Sequence, residues 1–189
     1  MRVFERDELR RFLVVLDGNL VEPFELLLIG GAAALLGYGV ERVTKDIDTL
    51  NPDFKRIMTA LEAARRESGL DIPVQHPGIE DGPHDLEDRL QLVAIQGLKR
   101  LSIKVPERHD LVLMKTVRGE EQDMQVAEDI NRIHGLDSEI LVTRYVSEMK
   151  HVIGSPRRLD QNFLALMERL YERSVVEGAA RRLEAMRRP

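Results

Sequence analysis

The chain has no cysteine and no tryptophan, and aromatic residues make up only 4% of its 189 positions. Without cysteine there is neither a disulfide nor a thiolate metal ligand. With so few aromatic rings, a base-stacking platform for single-stranded nucleic acid is not expected. No run of about 18 apolar residues is present, so no membrane-spanning helix is expected. The net charge of −5 gives no general attraction to nucleic acid or to acidic membranes. A contact of that kind would need a local basic patch, and the four arginines of "ARRLEAMRRP" are explained equally well by a solvated helix end. Signatures of a serine hydrolase, a zincin and a P-loop are all missing. The opening segment "MRVFERDELRRFLVVLDG" is amphipathic and carries acids where a signal peptide has an apolar stretch and a cleavage site, so a cytoplasmic location is expected.

What is present has a clear order. Leu9, Phe12, Leu13 and Leu16 recur at helical spacing between Asp7 and about Asn19, with Gly18 as a stop. "PFELLLIG" reads as a buried strand, "GAAALLGYG" as a short helix and "DIDTL" as a second strand. "DFKRIMTALEAARRESG" is an amphipathic helix with Phe54, Ile57, Met58 and Leu61 on one side, closed by Gly69. "IPVQHPGIEDGPHD" is a short strand at most, then a loop in which His76 and His84 show no ligand spacing. "RLQLVAIQGLKRLSIKV" reads as a hairpin turning near Gln96 and Gly97. From Pro106 onward every periodic segment is helical, over roughly 107–118, 122–134, 138–150, 158–173 and 177–187, the fourth with an apolar seam of Leu159, Phe163, Leu166 and Leu170. The expectation is an α/β core over residues 1–106 followed by a helical region over 107–189.

The stretch "LLLIGGAAALLGYGVERVTKDIDTL", residues 26–50, is the most apolar in the chain, yet it holds a glycine pair and two aspartates. A strand running straight into Gly30 and Gly31 and then a helix collects free backbone N–H groups and the positive helix end at one point, where phosphate binds well. On the next strand side chains alternate, so Asp46 and Asp48 point the same way and Ile47 points into the core. Two adjacent carboxylates repel unless a cation lies between them. Mg²⁺ takes ligands of this kind together with substrate phosphates. A glycine pair alone is more often a plain turn, and a lone D-x-D more often a solvated strand end. Their combination across one strand–helix–strand unit points to phosphoryl or nucleotidyl transfer. Arg42, Thr44 and Lys45 stand just before the carboxylates and add positive charge and a hydroxyl.

"IGGAAALLGYGVERVTKDID" resembles the signature of the polymerase-β-type nucleotidyltransferase superfamily. More narrowly, "GGAAALLGYGVERVTKDIDTL" with "DLVLMKTVRGEEQDMQVAEDI" resembles the stand-alone prokaryotic branch that includes AbiEii-like toxins. The resemblance implies a nucleotidyltransferase-like α/β (α+β) fold, a small mixed sheet with flanking helices followed by a C-terminal helical bundle. It implies two-metal transfer of NMP from an NTP to a hydroxyl acceptor, with Mg²⁺ held by Asp46 and Asp48 and the triphosphate lined by Gly30 and Gly31. It also implies an acceptor such as tRNA or a protein and a cognate antitoxin as partner, while the missing apolar run and the negative charge give the expectation of no membrane partner. A non-catalytic or antitoxin-like relative and a small-molecule (antibiotic) nucleotidyltransferase are the alternatives.

Many members of the superfamily use a third carboxylate on a later strand, and neither arm of the expected hairpin contains one. The toxin-like branch resembles instead a Lys-then-Asp pattern on the helices after the sheet, which makes Lys115 and Asp123 candidate catalytic residues. Lys115 shares a helix face with Leu111 and Val112 and calls for an anionic partner, a phosphate or an acid, unless it snorkels to solvent. Asp123 shares a face with Val126, Ala127 and Ile130 but also stands near a helix start, where an aspartate caps the backbone. Arg118, one turn past Lys115, is a candidate phosphate contact or a solvated arginine.

Overall fold

The computed structural model describes residues 2–77 and 82–187. The loop positions 78–81 and the tail positions 188–189, parts of the stretches quoted above, lie outside the described residues. The chain divides into two compact units, Met1–Ile79 with Leu90–Pro106, and Glu80–Arg89 with Glu107–Pro189.

The first unit is built on five strands: β1 (Phe24–Ile29), β2 (Ile47–Thr49), β3 (Val74–Gln75), β4 (Gln91–Val93) and β5 (Leu101–Val105). Their order is β3-β2-β1-β5-β4. The sheet is mixed: β1 runs parallel to β5 and antiparallel to β2, β2 runs parallel to β3, and β4 is antiparallel to β5. β1 is central and reads as a continuous apolar run because both of its faces are covered; Leu26, Leu27, Leu28 and Ile29 are all buried. Three helices belong to this unit: α1 (Arg6–Asn19), α2 (Gly30–Gly37) and α3 (Met58–Ser68), the last preceded by a 3-10 turn at Phe54–Ile57 and closed by Gly69. α1 packs against α3, and the expected stripe of Leu9, Phe12, Leu13 and Leu16 is fully buried there. Each such side chain contributes about 1.5–3 kcal/mol on leaving water.

The expected hairpin forms with a shorter first arm and a longer connection, residues 94–100. Asp17 supplies the reason. Its buried carboxylate accepts the backbone N–H groups of Lys99, Arg100 and Leu101 at 2.8, 2.7 and 2.7 Å, so this segment is fastened to the end of α1 before β5 begins. Burial pushes the Asp17 carboxyl up, but the three N–H bonds outweigh it and hold the group below its ordinary value of 3.8. Because the folded-state value is lowered, this stabilisation is complete above pH 3.8 and is lost as the pH falls through the folded-state value. Asp17→Ala leaves three donors without their acceptor and is expected to cost about 2–3 kcal/mol at pH 7 by urea denaturation. A loss under roughly 0.5 kcal/mol would contradict this role.

The second unit is helical: α4 (Arg108–Arg118), α5 (Glu121–His134), α6 (Ser138–Glu148), α7 (Pro156–Leu170) and α8 (Arg173–Arg187), with a short 3-10 turn at Leu86–Arg89. α4 packs against α5, α6 and α7. The seam of α7 is Phe163, Leu166 and Met167, with Leu159 and Leu170 only half-buried at its ends. Phe163 stacks on Tyr145 of α6 with centroids 4.1 Å apart. Among the described residues, no helix is long and apolar enough to cross a membrane.

Candidate functional site

β1 ends at Ile29 and the chain passes at once into α2, whose first two residues are Gly30 and Gly31. No side chain caps this helix start. Its first N–H groups and its positive end are therefore presented where the strand stops. The antiparallel register sets Ile29 opposite Asp48, one residue before the glycine pair.

The two motifs of the sequence meet here. Gly30 has φ +66°, a region that costs a residue bearing a Cβ about 1–2 kcal/mol. A Cβ on Gly30 would lie 3.0 Å from Asp48 Oδ2, and a Cβ on Gly31 would lie 2.8 Å from Thr44 Oγ1. The glycines are needed because the carboxylate segment approaches the helix start closely. Thr44 is buried and anchored: its backbone exchanges two hydrogen bonds with Phe4, at 2.7 and 3.0 Å. Its hydroxyl donates to the carbonyl of Asp46 at 3.0 Å. The hydroxyl of Thr44 thus occupies the space that a Cβ at position 31 would need. Gly31→Ala is expected to cost about 1–3 kcal/mol by overpacking. Thr44→Ala in the same chain should recover part of that loss in a double-mutant melting cycle. Simple additivity of the two losses would contradict the close approach.

Asp46 and Asp48 are both partly exposed while Ile47 between them is fully buried, so the carboxylates share one face. The side-chain amide of Gln75 reaches both: Nε2 donates to Asp46 Oδ2 at 3.1 Å and to Asp48 Oδ1 at 3.0 Å. Arg42 is partly buried and Lys45 is exposed in the segment leading to the pair. Among the described residues, no cluster of three or more His, Cys, Asp or Glu is arranged to hold a metal ion. The donor set on this face is therefore two carboxylates and a neutral amide. That set, beside a cradle that a single Cβ would fill, fits a hard divalent cation carrying phosphate oxygens.

The remaining candidates gather in the second unit. Lys115 Nζ lies 3.0 Å from Asp123 Oδ1, and Arg118 reaches Asp123 with Nε to Oδ2 and Nη2 to Oδ1, both at 2.7 Å. Asp123 is buried and looks inward; the cap position belongs to Glu120. The anionic partner of Lys115 is this aspartate. Burial pushes the Asp123 carboxyl up, and Arg118 and Lys115 outweigh it and hold the group below its ordinary value of 3.8. Lys115 is largely covered, whereas the Arg118 side chain is 59% exposed, so part of its guanidinium still faces solvent.

Sequence reasoning passed over Gln75. The sequence points to the hairpin arms for a third ligand, whereas the side chain beside the pair is an amide on the two-residue strand β3. The signal was the alternation of Ile72 and Val74, which fixes the neighbour Gln75 on the opposite face. Of the histidines, His109 is buried, with Nδ1 2.9 Å from Glu107 Oε1 and Nε2 accepting the Asp137 N–H at 2.9 Å, which is a structural role. His84 is exposed beside Asp85.

A family model described as a nucleotidyltransferase of unknown function, DUF6036, matches residues 9–175. The chain belongs to this family. Members are nucleotidyltransferases by description, and the mixed five-stranded sheet with a helical C-terminal region is consistent with the nucleotidyltransferase-like fold. The DUF6036 match spans both the glycine–aspartate face and the Lys115–Asp123 cluster. No curated protein and no solved structure matches the chain.

Proposed function

We propose that this DUF6036 protein is a Mg²⁺-dependent nucleotidyltransferase that moves NMP from an NTP to a hydroxyl acceptor with release of pyrophosphate. The observation that carries the reading is the apposition of Gly30 and Asp48, which sets an uncapped helix start against a pair of carboxylates. Asp46 and Asp48 would hold the Mg²⁺, and Gly30 and Gly31 would seat the triphosphate on backbone N–H groups. Arg42 and Lys45 would add positive charge near the phosphates. Bound Mg²⁺ neutralises charge that develops on the phosphate oxygens. In the transfer, the acceptor oxygen forms a bond to the α-phosphorus while the bridging bond to the β-phosphate breaks. Pyrophosphate leaves with that electron pair and the hydroxyl proton passes to solvent. Lys115 and Asp123 enter the proposal through the Lys-then-Asp resemblance, with Asp123 holding Lys115 and Arg118 in place.

The finer proposal is a cytoplasmic toxin of the AbiEii-like kind that modifies tRNA or another macromolecule and is restrained by a cognate antitoxin. It rests on the two stretches, 30–50 and 110–130, that resemble that branch. The test uses the four NTPs labelled at the α-phosphate, Mg²⁺ and total RNA with a protein extract. Label should enter an acceptor from a preferred NTP, and EDTA should prevent it. Label entering the acceptor from γ-labelled and not from α-labelled NTP would rule out nucleotidyl transfer. A second reading, a nucleotide-binding relative without turnover, is favoured by one observation: the residue of β3 beside the carboxylates is Gln75 and not an acid. NTP binding with no labelled product from any of the four would select it. Drug resistance on expression, in place of growth arrest, would select a small-molecule acceptor.

A further inference from the structure

β3 is an edge strand of only Val74 and Gln75, and it exists to pair with β2. Its register is fixed by burial. Val74 lies opposite Ile47, and both are buried; Gln75 lies opposite Asp48, and both stand on the other face. Partners in register share a face, so a slip by one residue would bury the amide and expose Val74. The sheet therefore delivers one neutral side chain to the side of the carboxylate pair. A single nitrogen, Nε2, lies 3.1 Å from Asp46 and 3.0 Å from Asp48. Two carboxylates on one face repel, and the two N–H groups of this amide lie between them.

We propose that Gln75 is the third metal-holding side chain of this site. Without metal, its NH₂ group bridges Asp46 and Asp48. With a divalent cation, its Oε1 joins them as a neutral oxygen ligand. The inference rests on the nucleotidyl-transfer reading of the two aspartates. The two ends of an amide have nearly the same shape, and the terminal torsion of glutamine is soft. A turn about it exchanges nitrogen for oxygen with little movement of the chain. Amide carbonyl oxygens serve as ligands to hard cations alongside carboxylates. The donor set then carries two negative charges and not three. It is balanced by one divalent ion, so a second ion must bring phosphate ligands with it.

Mn²⁺ titration without nucleotide, followed by calorimetry and by the electron paramagnetic resonance of free Mn²⁺, tests this on the full chain. The wild type should bind one ion. Gln75→Leu should weaken that binding about 10-fold or more. Gln75→Glu should tighten it by roughly 10-fold and melt at a lower temperature than wild type in EDTA, because three carboxylates then crowd one face, with the difference removed by Mn²⁺. Asp48→Ala should lose the site. Gln75 is exposed, so its variants keep the fold, which far-UV circular dichroism checks. If both Gln75 variants bind Mn²⁺ like the wild type while Asp48→Ala does not, Gln75 is no ligand and the carboxylate site stands. If the wild type binds no ion, or Asp48→Ala binds as well as the wild type, the carboxylate reading and this inference fail together.

Discussion

Asp48→Asn is expected to reduce nucleotidyl transfer at least roughly 10³-fold, equivalent to about 4 kcal/mol of lost transition-state stabilisation, while leaving the protein folded. Asparagine keeps the shape and the β2 register but removes one of the two charges that would grip the cation. The fold should tolerate the change because Asp48 is partly exposed and the neighbouring β2 positions, Ile47 and Thr49, supply the packing. Removing one of two like charges relieves repulsion, so the melting temperature in EDTA should be unchanged or slightly higher. The α-labelled NTP assay measures the first effect and calorimetry the second. Full activity in the variant would remove Asp48 from the chemistry.

Asp110→Ala is expected to produce the largest loss of stability, about 3–5 kcal/mol, or roughly 10 °C in melting temperature for a chain of this size. Asp110 is completely buried. Its carboxylate accepts from Arg89 through Nε at 2.8 Å and Nη2 at 3.1 Å, and from Arg144 through Nη1 at 2.8 Å. Arg89 continues to Glu148 at 2.5 Å, and Arg144 to Glu107 at 2.6 Å. Deleting the central acid leaves two largely covered guanidinium groups short of a partner. An exposed pair is a useful contrast: Arg173 and Glu177 lie 2.8 Å apart on α8, and Glu177→Ala should cost at most about 0.5 kcal/mol. The same network sets a pH dependence. Burial pushes the Glu107 carboxyl up, but His109 and Arg144 outweigh it and hold the group down at about 2, against an ordinary 4.5. Its contribution is complete above pH 4.5 and is lost as the pH falls from there through about 2. An acid titration of the Asp110→Ala protein should show an earlier transition than the wild type.

The parts of the fold legible in the sequence are those fixed by local pattern. The stripe of α1, the apolar run of β1, the stop at Gly69 and the five C-terminal helices follow from spacing alone, and their ends move by only a few residues. The glycine pair and the D-x-D motif were legible together because they stand at the end of β1 and the start of β2, adjacent strands joined by one short helix. Contacts set by distant partners were not legible. Asp17 reads as an ordinary helix-end acid, yet its acceptor role depends on residues 82 to 84 positions away. Asp110 looks like a first-turn aspartate, and its arginines lie 21 and 34 positions off. Lys115 and Asp123 were each singled out, but not as partners of each other. The turn at Gly119, with φ +64°, brings the start of α5 back to the end of α4 and closes the pair. Gln75 is not legible because β3 is only two residues long in a Pro/Gly-rich stretch, and an amide carries no charge to mark it as a ligand.

A structure of the protein with Mg²⁺ and a non-hydrolysable NTP analogue tests the central claim most directly. The expected result is a cation ligated by the carboxylates of Asp46 and Asp48, with the triphosphate against the backbone of Gly30 and Gly31. A nucleotide bound elsewhere, or a cation that leaves both aspartates untouched, would contradict it.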